Sequence, residues 1–404
     1  MRRAVIFFFF VLMLALRASA AEAFHYITPP LLQIPPVGQN PGTIQDPQWG
    51  GLRYVLFDSD ADLLNTGSTG RQIFVFDLQQ RDVDISSLAL TQVTTAPLDD
   101  NRRPATGHHA ITIVYDAQIG GVGPRQLMLV DRYTGIRTQL TNGAFDSTNA
   151  SVDDGERVVV FESAADFFAK GVGGTQIYRI DLRKVQLGCP FPCVINGTIN
   201  NAGLSQITTK VGTNRNAVTS TGGKWIVFES DADLLNSGQT ENQIYLYNSK
   251  TWLTLRVSPG PGAARNPTIT RDGGRIVFES DADGTGSTQL FLYHRAKKTL
   301  QQIPTPPGGT CTNPSISSNG HAVAFLSSND LLSRGSDGPE LYSYDLKKNV
   351  LVQLTNAPAS VSSPAYSSGV FTVFLADGDL AGNGSPGTQL YLVNLFALAN
   401  QAVP

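Results

Sequence analysis

Apolar and polar residues alternate along most of the chain, in runs of about six residues that are separated by Gly, Asn and Asp. Typical runs are RIVFES and AVAFLS, and each is followed by a second alternating run such as QIYLYNS or QLFLYHR. A period of two residues places successive side chains on opposite faces of an extended strand. The pattern therefore predicts a protein of short β-strands joined by tight turns.

One of these runs leads into an acidic stretch, FESDADLL at residues 228–235, which resembles a metal-binding loop. This stretch is repeated along the chain. Related copies begin at an aromatic anchor residue in six other places: Phe57, Tyr115, Phe161, Phe278, Phe325 and Phe374. Because internal repeats govern the whole fold, the acids must first be interpreted as part of a repeating unit.

The repeating unit has the same internal order each time, with anchors about 48 residues apart. A polar residue followed by Pro or Ala stands before each anchor and predicts a turn ahead of the first strand: Asp46, Arg103, Asn149, Asn216, Asn266, Asn313 and Ser363. A Gln or Glu after each anchor opens an alternating strand: Gln72, Gln126, Gln176, Gln243, Gln289, Glu340 and Gln389. Most units end in a short strand of the type TQLTNG.

Four strands in every unit of this length predict the blade of a β-propeller. We therefore predict an all-β fold, a single seven-bladed β-propeller with four-stranded blades. The blades fall at about residues 40–98, 99–145, 146–212, 213–262, 263–309, 310–358 and 359–396.

The seventh unit lacks its last strand, and the segment LLQIPP near the start of the chain resembles LQQIP, the last strand of the fifth unit. We expect residues 30–36 to supply the outer strand of the seventh blade and so to close the ring without an open edge. The alternative is six full blades and an incomplete seventh.

The first 20 residues differ from the rest. Arg2 and Arg3 precede the apolar run 4–16, and Ala18-Ser19-Ala20 follows, which is typical of a secretory signal peptide. Cleavage would leave residues 21–404 in the periplasm or outside the cell, with no stable membrane span. An uncleaved anchor is the alternative, although the apolar run is shorter than the roughly 20 residues that a spanning helix needs.

The charge balance excludes one class of function. The chain has 30 basic and 33 acidic residues, and loss of the signal peptide would make it more acidic, so a nucleic-acid partner is not expected. Cys189 and Cys193 bracket PFP and predict a small disulfide loop in an oxidising compartment. The state of Cys311 is left open.

The unit N-P-x-I-S-x-[DN]-G-x-x-V-x-F-x-S, followed by an acidic loop and a [DQ]-[IL]-[FY]-x-Y-D-L strand, resembles the TolB-type, WD40-like (PD40) β-propeller repeat over residues 31–395. The resemblance implies the propeller fold and is poor evidence of function. TolB proteins add an α/β domain and prolyl-oligopeptidase-like enzymes add a hydrolase domain with G-x-S-x-G, and this sequence matches neither. The expectation is a propeller alone.

The repeated acids have two interpretations. Six occupy one position of the unit and are predicted to cap the backbone of a turn: Asp62, Asp166, Asp233, Asp283, Asp330 and Asp379. The alternative is Ca²⁺ held by oxygens in two of the loops, from Asp58, Asp60, Asp62, Glu229, Asp231 and Asp233. The Gly and the distal Glu of a Ca²⁺-binding hand are missing, which favours the caps.

Three functions remain open. The leading hypothesis is a monomeric, exported, non-enzymatic scaffold without a cofactor, which binds a protein or a cell-envelope polymer through its acidic rim or central funnel. The second is a hydrolase or lyase acting on a glycan or peptide in the channel. It would need a non-repeating acid and base. His108 and His109 are predicted in the turn before the anchor strand of the second blade, and because neighbouring residues on a strand point to opposite faces, the two are not expected to share one ion. The third is a Ca²⁺-stabilised structural protein.

Overall fold

The computed structural model describes residues 31–34, 42–78, 90–185, 203–282, 286–306, 309–335, 338–356, 360–367, 371–382, 384 and 387–394, and the backbone of two short strands at 194–195 and 198–199. The predicted signal peptide, Cys189, Cys193 and Asp283 lie outside these residues. The regular structure in the described part is β-strand, with short 3-10 turns at Ile119–Gly121, Leu182–Lys184 and Thr221–Gly223.

Strand β1 (Leu31–Ile34) stands ahead of seven groups of strands, called units 1 to 7 here. Unit 1 contains β2 (Ile44–Gly50), β3 (Tyr54–Ser59), β4 (Gln72–Asp77) and β5 (Leu90–Gln92). Unit 2 contains β6 (Asp100–Thr106), β7 (Thr112–Gln118), β8 (Gln126–Asp131) and β9 (Arg137–Gln139). Unit 3 contains β10 (Ser147–Val152), β11 (Val158–Ser163), β12 (Gly174–Asp181) and, after the small hairpin of β13 (Val194–Ile195) and β14 (Thr198–Ile199), β15 (Leu204–Gln206).

The remaining units follow the same order. Unit 4 contains β16 (Gly212–Thr219), β17 (Trp225–Ser230), β18 (Gln243–Asn248) and β19 (Leu253–Arg256). Unit 5 contains β20 (Ala264–Ile269), β21 (Arg275–Ser280), β22 (Gln289–His294) and β23 (Thr299–Gln302). Unit 6 contains β24 (Cys311–Ile316), β25 (Ala322–Ser327), β26 (Glu340–Asp345) and β27 (Val350–Gln353), and unit 7 contains β28 (Ser360–Tyr366), β29 (Phe371–Asp377) and β30 (Thr388–Asn394).

Each unit is an antiparallel sheet whose neighbouring strands follow one another in the chain, except that in unit 3 the hairpin of β13 and β14 intervenes between the paired strands β12 and β15, and that in unit 7 the outer strand comes from the start of the chain. Units 3 and 4 are joined into one larger sheet by a short parallel pairing of β12 with β16, at Gly174 and Thr175. In unit 7 the strand beyond β30 is β1, which pairs antiparallel from Leu31 opposite Val393 to Ile34 opposite Leu390. The segment expected to serve as the outer strand of the last unit therefore lies in that position.

The aromatic anchors are core residues. Phe57, for example, is fully buried and stacks on its cross-strand partner Phe74, with ring centroids 5.6 Å apart. The same stacked pair recurs between the second and third strands of the units anchored by Phe161, Phe228, Phe278, Phe325 and Phe374. Stacked aromatic pairs add to the free energy gained from burial alone, and six of the seven units carry one at their centre. In unit 2 the anchor Tyr115 lies opposite Met128 instead.

The repeated Gln at the start of each third strand holds the outer strand in place. In unit 1 the Thr94 hydroxyl donates to Gln72 Oε1 at 2.7 Å and accepts the N–H of Ile73 at 2.9 Å. Units 2 and 3 repeat the contact with Thr141 and Thr208. Because both groups are buried, an unpaired Gln or Thr here would be costly, which accounts for both the Gln and the Thr of the LT motif.

The hydrophobic core lies between neighbouring units. Seven clusters of buried residues, counted over the described chain, each combine side chains from two successive units, and one of them joins unit 7 to unit 1. The first strands β2, β6, β10, β16, β20, β24 and β28 also contact one another in that order, and β28 contacts β2.

The polar residue before Pro or Ala is not in a turn ahead of the first strand, so that expectation was wrong. It lies inside the first strand, where the register shifts by a β-bulge, for example between Gln45 and Gln48. The bulge residue has φ of 48° to 52° in every unit. Asn and Asp tolerate this left-handed conformation better than most residues, which explains why Asn occupies it in four units.

Candidate functional site in the central cavity

The acidic loops after the second strands fold around their own carboxylates. Asp62 accepts the backbone N–H groups of Thr66 at 2.8 Å and Gly67 at 2.7 Å. Asp166 and Asp233 accept the corresponding groups four and five residues later. These backbone N–H bonds, that of Thr66 first for Asp62, lower the pKa of the three carboxyl groups below its ordinary value.

Two more acids of the set make a similar contact. Asp330 accepts the N–H of Gly335 at 2.6 Å, and Asp379 accepts that of Gly384. A carboxylate that accepts N–H groups of the following loop is the arrangement expected of a turn cap. The sixth residue of the set, Asp283, lies outside the described residues.

The carboxylates proposed as Ca²⁺ ligands in unit 1 already bond protein donors, and the Arg71 guanidinium bridges Asp58 and Asp60. Asp58 bonds Arg71 Nη1 and the N–H of Arg103, and Asp60 accepts the N–H of Thr43 at 2.7 Å. Asp62 faces its own loop, as described above.

In unit 4, Glu229 accepts from Arg215 Nε at 2.6 Å, and Asp231 accepts the N–H of Thr213 at 2.6 Å. Asp233, like Asp62, faces its own loop. Across the described residues, no group of three His, Cys, Asp or Glu side chains is arranged to hold a metal ion.

A cavity of about 530 Å³, called the upper cavity here, runs between the first strands. Its walls include all seven bulge residues: Asp46, Arg103, Asn149, Asn216, Asn266, Asn313 and Ser363. Since the bulge repeats once in each unit, seven polar side chains come to one place in the fold. This polar ring sets the cavity apart from most ligand pockets, whose walls are predominantly apolar.

Behind the bulges lies a set of buried acids, called the wall carboxylates here. They directly follow the aromatic anchors of units 1 to 5: Asp58, Asp116, Glu162, Glu229 and Glu279. Four of them accept the bulge N–H of the next unit, at 3.1 Å for Asp58, 3.0 Å for Glu162, 2.7 Å for Glu229 and 2.6 Å for Glu279. Asp116 instead bonds the guanidinium groups of Arg103 and Arg125. The four acids that accept a bulge N–H therefore link one unit to the next, whereas Asp116 bonds arginines of its own unit.

Burial sets the proton affinity of the wall carboxylates. Removal from water raises the pKa of Glu162 to about 7 and that of Asp58 to about 6, and it also raises the pKa of Glu279. The hydrogen bonds from the backbone and from Asn149 favour the charged form of Glu162, but burial outweighs them. Perturbed carboxyl groups are common in functional sites and also in structural networks.

Units 6 and 7 have no acid at this position. Leu326 and Leu375 follow the anchors there, are 6% and 4% exposed, and belong to the cores of the junctions between units 6 and 7 and between units 7 and 1. The upper cavity therefore has a charged arc over units 1 to 5 and an uncharged arc over units 6 and 7.

The opposite end of the first strands opens into a second cavity of about 280 Å³, the lower cavity. It shares Gln48, Thr106 and Ser151 with the upper cavity. His108, Asp154 and Arg271 also line it, and the Arg271 guanidinium contacts both Asp154 and His108 Nδ1, the latter at 2.6 Å. These three residues come from units 2, 3 and 5.

The sequence did not indicate this cluster. His108 and His109 lie in the turn before the anchor strand of unit 2, as predicted, but their rings are in edge contact, 4.9 Å apart, and do not point to opposite faces. One feature of the sequence could have pointed to the cluster. The position five residues after the bulge residue holds Gly51, Thr221 and Ser318 in units 1, 4 and 6, but a charged or titratable residue in units 2, 3 and 5. No pattern in the chain shows that the three meet.

Two further questions from the sequence concern Cys311 and a membrane span. Cys311 is a free, buried thiol, and burial raises its pKa. The described residues include no helix long or apolar enough to cross a lipid bilayer.

Radial four-stranded units with their first strands around a common cavity define the β-propeller class. No family model matches the sequence, and no curated protein matches it. Solved structures do match. Oligogalacturonate lyase from Vibrio parahaemolyticus is 11% identical, the match covers 90% of this chain and 93% of that one, and the TM-score is 0.62.

The β-propeller domain of the Trilobed protease from Pyrococcus furiosus is 11% identical over 87% of this chain and 92% of that one, with a TM-score of 0.58. TolB from Acinetobacter baumannii is 17% identical over 77% and 78%, with a TM-score of 0.44. The first two similarities show that this chain has a β-propeller fold, as its repeats predicted, and TolB is among the propellers it resembles. At these identities the similarity concerns the fold alone.

Proposed function

We propose that this chain is an exported, non-enzymatic β-propeller of seven blades, closed by the N-terminal strand, that binds a protein or a cell-envelope polymer at its upper cavity. One observation carries the proposal. Four of the five wall carboxylates already accept a hydrogen bond from the next unit, and the described lining of the cavity offers a ligand mainly amides and hydroxyls, with Asp46 as its one carboxylate. Such groups recognise a polar ligand, and this lining places no second acid or base beside Asp46 for acid–base catalysis.

The exposed part of the upper cavity supports binding. Asn313 and Ser363 are exposed bulge residues that line it. Arg265 does not line the cavity, but it is exposed, pairs with Glu279 in the strand register and directly precedes the lining residue Asn266. In the described part of the chain Arg265 makes no hydrogen bond with protein groups, so its guanidinium has five N–H groups for a partner. A ligand here would contact the charged arc on one side and the uncharged arc on the other.

Blocking the cavity tests the proposal. Gln48 is exposed and lines both cavities, so Gln48→Trp should fill the passage without disturbing a unit core. Gln301→Trp, at an exposed site on outer strand β23, is the matched control. Capture of partners from envelope extract should be lost with Gln48→Trp and kept with Gln301→Trp.

Two results would contradict the proposal. The first is equal capture by the two variants, which would move binding away from the cavity. The second is turnover of a glycan or peptide by the purified protein. The likeness to oligogalacturonate lyase adds nothing to that alternative, since it concerns the fold alone.

A further inference from the structure

The lower cavity contains the one cluster described above that the repeat does not explain. The turn position five residues after the bulge is filled by small residues in units 1, 4 and 6, namely Gly51, Thr221 and Ser318. In units 2, 3 and 5 it is filled by His108, Asp154 and Arg271. A turn that accepts Gly, Thr or Ser does not need a charged residue for folding, so these three call for another explanation.

The backbone holds the cluster in a fixed place. The N–H of His108 donates to Asp154 O at 3.0 Å, and the N–H of Thr221 donates to Arg271 O at 2.9 Å. Gly51 makes room for the imidazole: a Cβ there would lie 2.7 Å from His108 Nδ1 and 2.4 Å from His108 O. The ring is therefore held against the first unit, and the Arg271 side chain reaches it from the fifth.

The contacts define which atoms are donors. A guanidinium has no acceptor, so His108 Nδ1 must accept from Arg271 Nη2, and the proton of the neutral ring is on Nε2. Asp154 Oδ1 contacts the same Nη2 atom and lies 3.8 Å from His108 Nδ1. Arg271 Nε and Nη1 and His108 Nε2 donate no hydrogen bond to other described residues.

The remaining N–H groups of Arg271 and His108 thus stand together beside a cavity whose other polar lining includes the hydroxyl residues Ser315, Ser318 and Ser367. Hydroxyl groups and a guanidinium are donors suited to oxygen anions, and a guanidinium matches a carboxylate or phosphate with two parallel bonds. From this geometry we infer that the lower cavity is a binding site for an oxyanion group, a carboxylate, sulfate or phosphate, held by Arg271 and His108.

Asp154 has a definite part in this site. It orients the guanidinium in the absence of a ligand, and its charge opposes an incoming anion. Loss of that charge should therefore strengthen binding, whereas loss of the Arg271 charge should weaken it. A purely structural contact between units would respond differently, because removal of either partner would only loosen the turn.

The test is a titration of the full chain with phosphate, sulfate and acetate, followed by calorimetry and by NMR of ¹⁵N-labelled histidine. We expect saturable binding with a shift of the His108 Nε2 signal. Arg271→Gln should weaken binding by about tenfold or more, since a hydrogen bond to a charged group is lost. Asp154→Asn should tighten it by about fivefold.

Arg334→Gln is the matched control, since Arg334 is exposed in the acidic loop of unit 6, remote from both cavities. It should leave the affinity within about twofold of the native value. The inference is overturned if no probe anion saturates the native protein, if Arg271→Gln binds as the native protein does, or if Asp154→Asn binds more weakly. If a variant fails to fold, the titration of the native protein still tests the inference, since saturable anion binding with a shift of the His108 Nε2 signal is required.

Discussion

Two kinds of junction hold neighbouring units together, and they differ in one side chain. Between units 4 and 5 the residue after the anchor is Glu229, whose carboxylate accepts the bulge N–H of Asn266 at 2.7 Å. Between units 6 and 7 the equivalent residue is Leu326, which is packed in the core between those units. The same backbone thus tolerates a polar link or an apolar contact, because every unit already contributes a hydrophobic cluster to its junctions.

The difference between the two junctions shows which positions carry a charged residue although the fold also accepts an apolar one. Since leucine serves at two junctions, the propeller fold does not by itself demand an acid at this position, although each acid that accepts a bulge N–H has become part of its own junction. These acids create the charged arc of the upper cavity, at the cost of removing carboxylates from water. The following predictions test this difference between the junctions.

The largest effect is expected from Glu229→Leu, which gives the junction between units 4 and 5 the side chain of the junction between units 6 and 7. The change leaves the buried N–H of Asn266 without its acceptor and Arg215 without its ion pair. Arg215 is half exposed, so we expect the free energy of unfolding in urea to fall by about 3 kcal/mol.

Glu241→Leu, in an exposed loop of the same unit, is the control for the added apolar side chain. It should change stability by less than about 0.5 kcal/mol. An equal, small effect of both changes would show that the acid and the leucine are interchangeable at these junctions.

A smaller effect is expected from pH at the junction between units 3 and 4. Burial raises the pKa of Glu162 to about 7, whereas the unfolded chain has the ordinary value near 4.5. The folded protein therefore holds this proton more tightly, and the stabilisation is present below pH 4.5 and is lost as the pH rises through 7. Between pH 4.5 and 7.5 the loss should come to slightly less than about 3 kcal/mol of unfolding free energy.

Glu162→Gln removes the titrating group and keeps the side-chain shape. Urea unfolding at pH 4.5 and pH 7.5 should show the native protein losing more stability than the variant over this interval. Identical pH dependence in the two proteins would contradict the raised pKa and with it the buried state of the carboxylate.

A local effect is expected at the aspartates that cap the acidic loops, which occur in units on either side of both kinds of junction. Asp233→Ala removes the acceptor of the Ser237 and Gly238 N–H groups. Because the loop is exposed, the stability of the whole chain should change less than with Glu229→Leu. Hydrogen exchange at Ser237 and Gly238 should become faster, while exchange at the bulge of unit 4 stays unchanged. Slow exchange in the variant would show that the carboxylate is not the cap.

The smallest effect is expected from calcium. The six carboxylates that could have supplied oxygens already bond protein N–H donors, so Ca²⁺ or a chelator should leave the thermal midpoint unchanged. A midpoint that rises with Ca²⁺ and falls with chelator would restore the metal interpretation of the acidic loops.

Much of the fold follows from local pattern. The period of two residues, the aromatic anchors and the Gln that opens each third strand predicted four strands in each unit, and these features are local enough to be visible in the chain. The bulge was misplaced, since a polar residue before Pro in a turn and the same pair in a bulged strand look alike in sequence.

By itself, the sequence determined the repeating unit, its strands and the positions that carry acids, because alternation, turns and repeats act over a few residues at a time. Only the tertiary structure decided which carboxylates support the next unit and that His108, Asp154 and Arg271 meet. The carboxylate contacts join residues 34 to 54 positions apart, and Arg271 lies more than a hundred positions from His108 and Asp154. The packing of units around the cavity, not any local preference, brings these residues together.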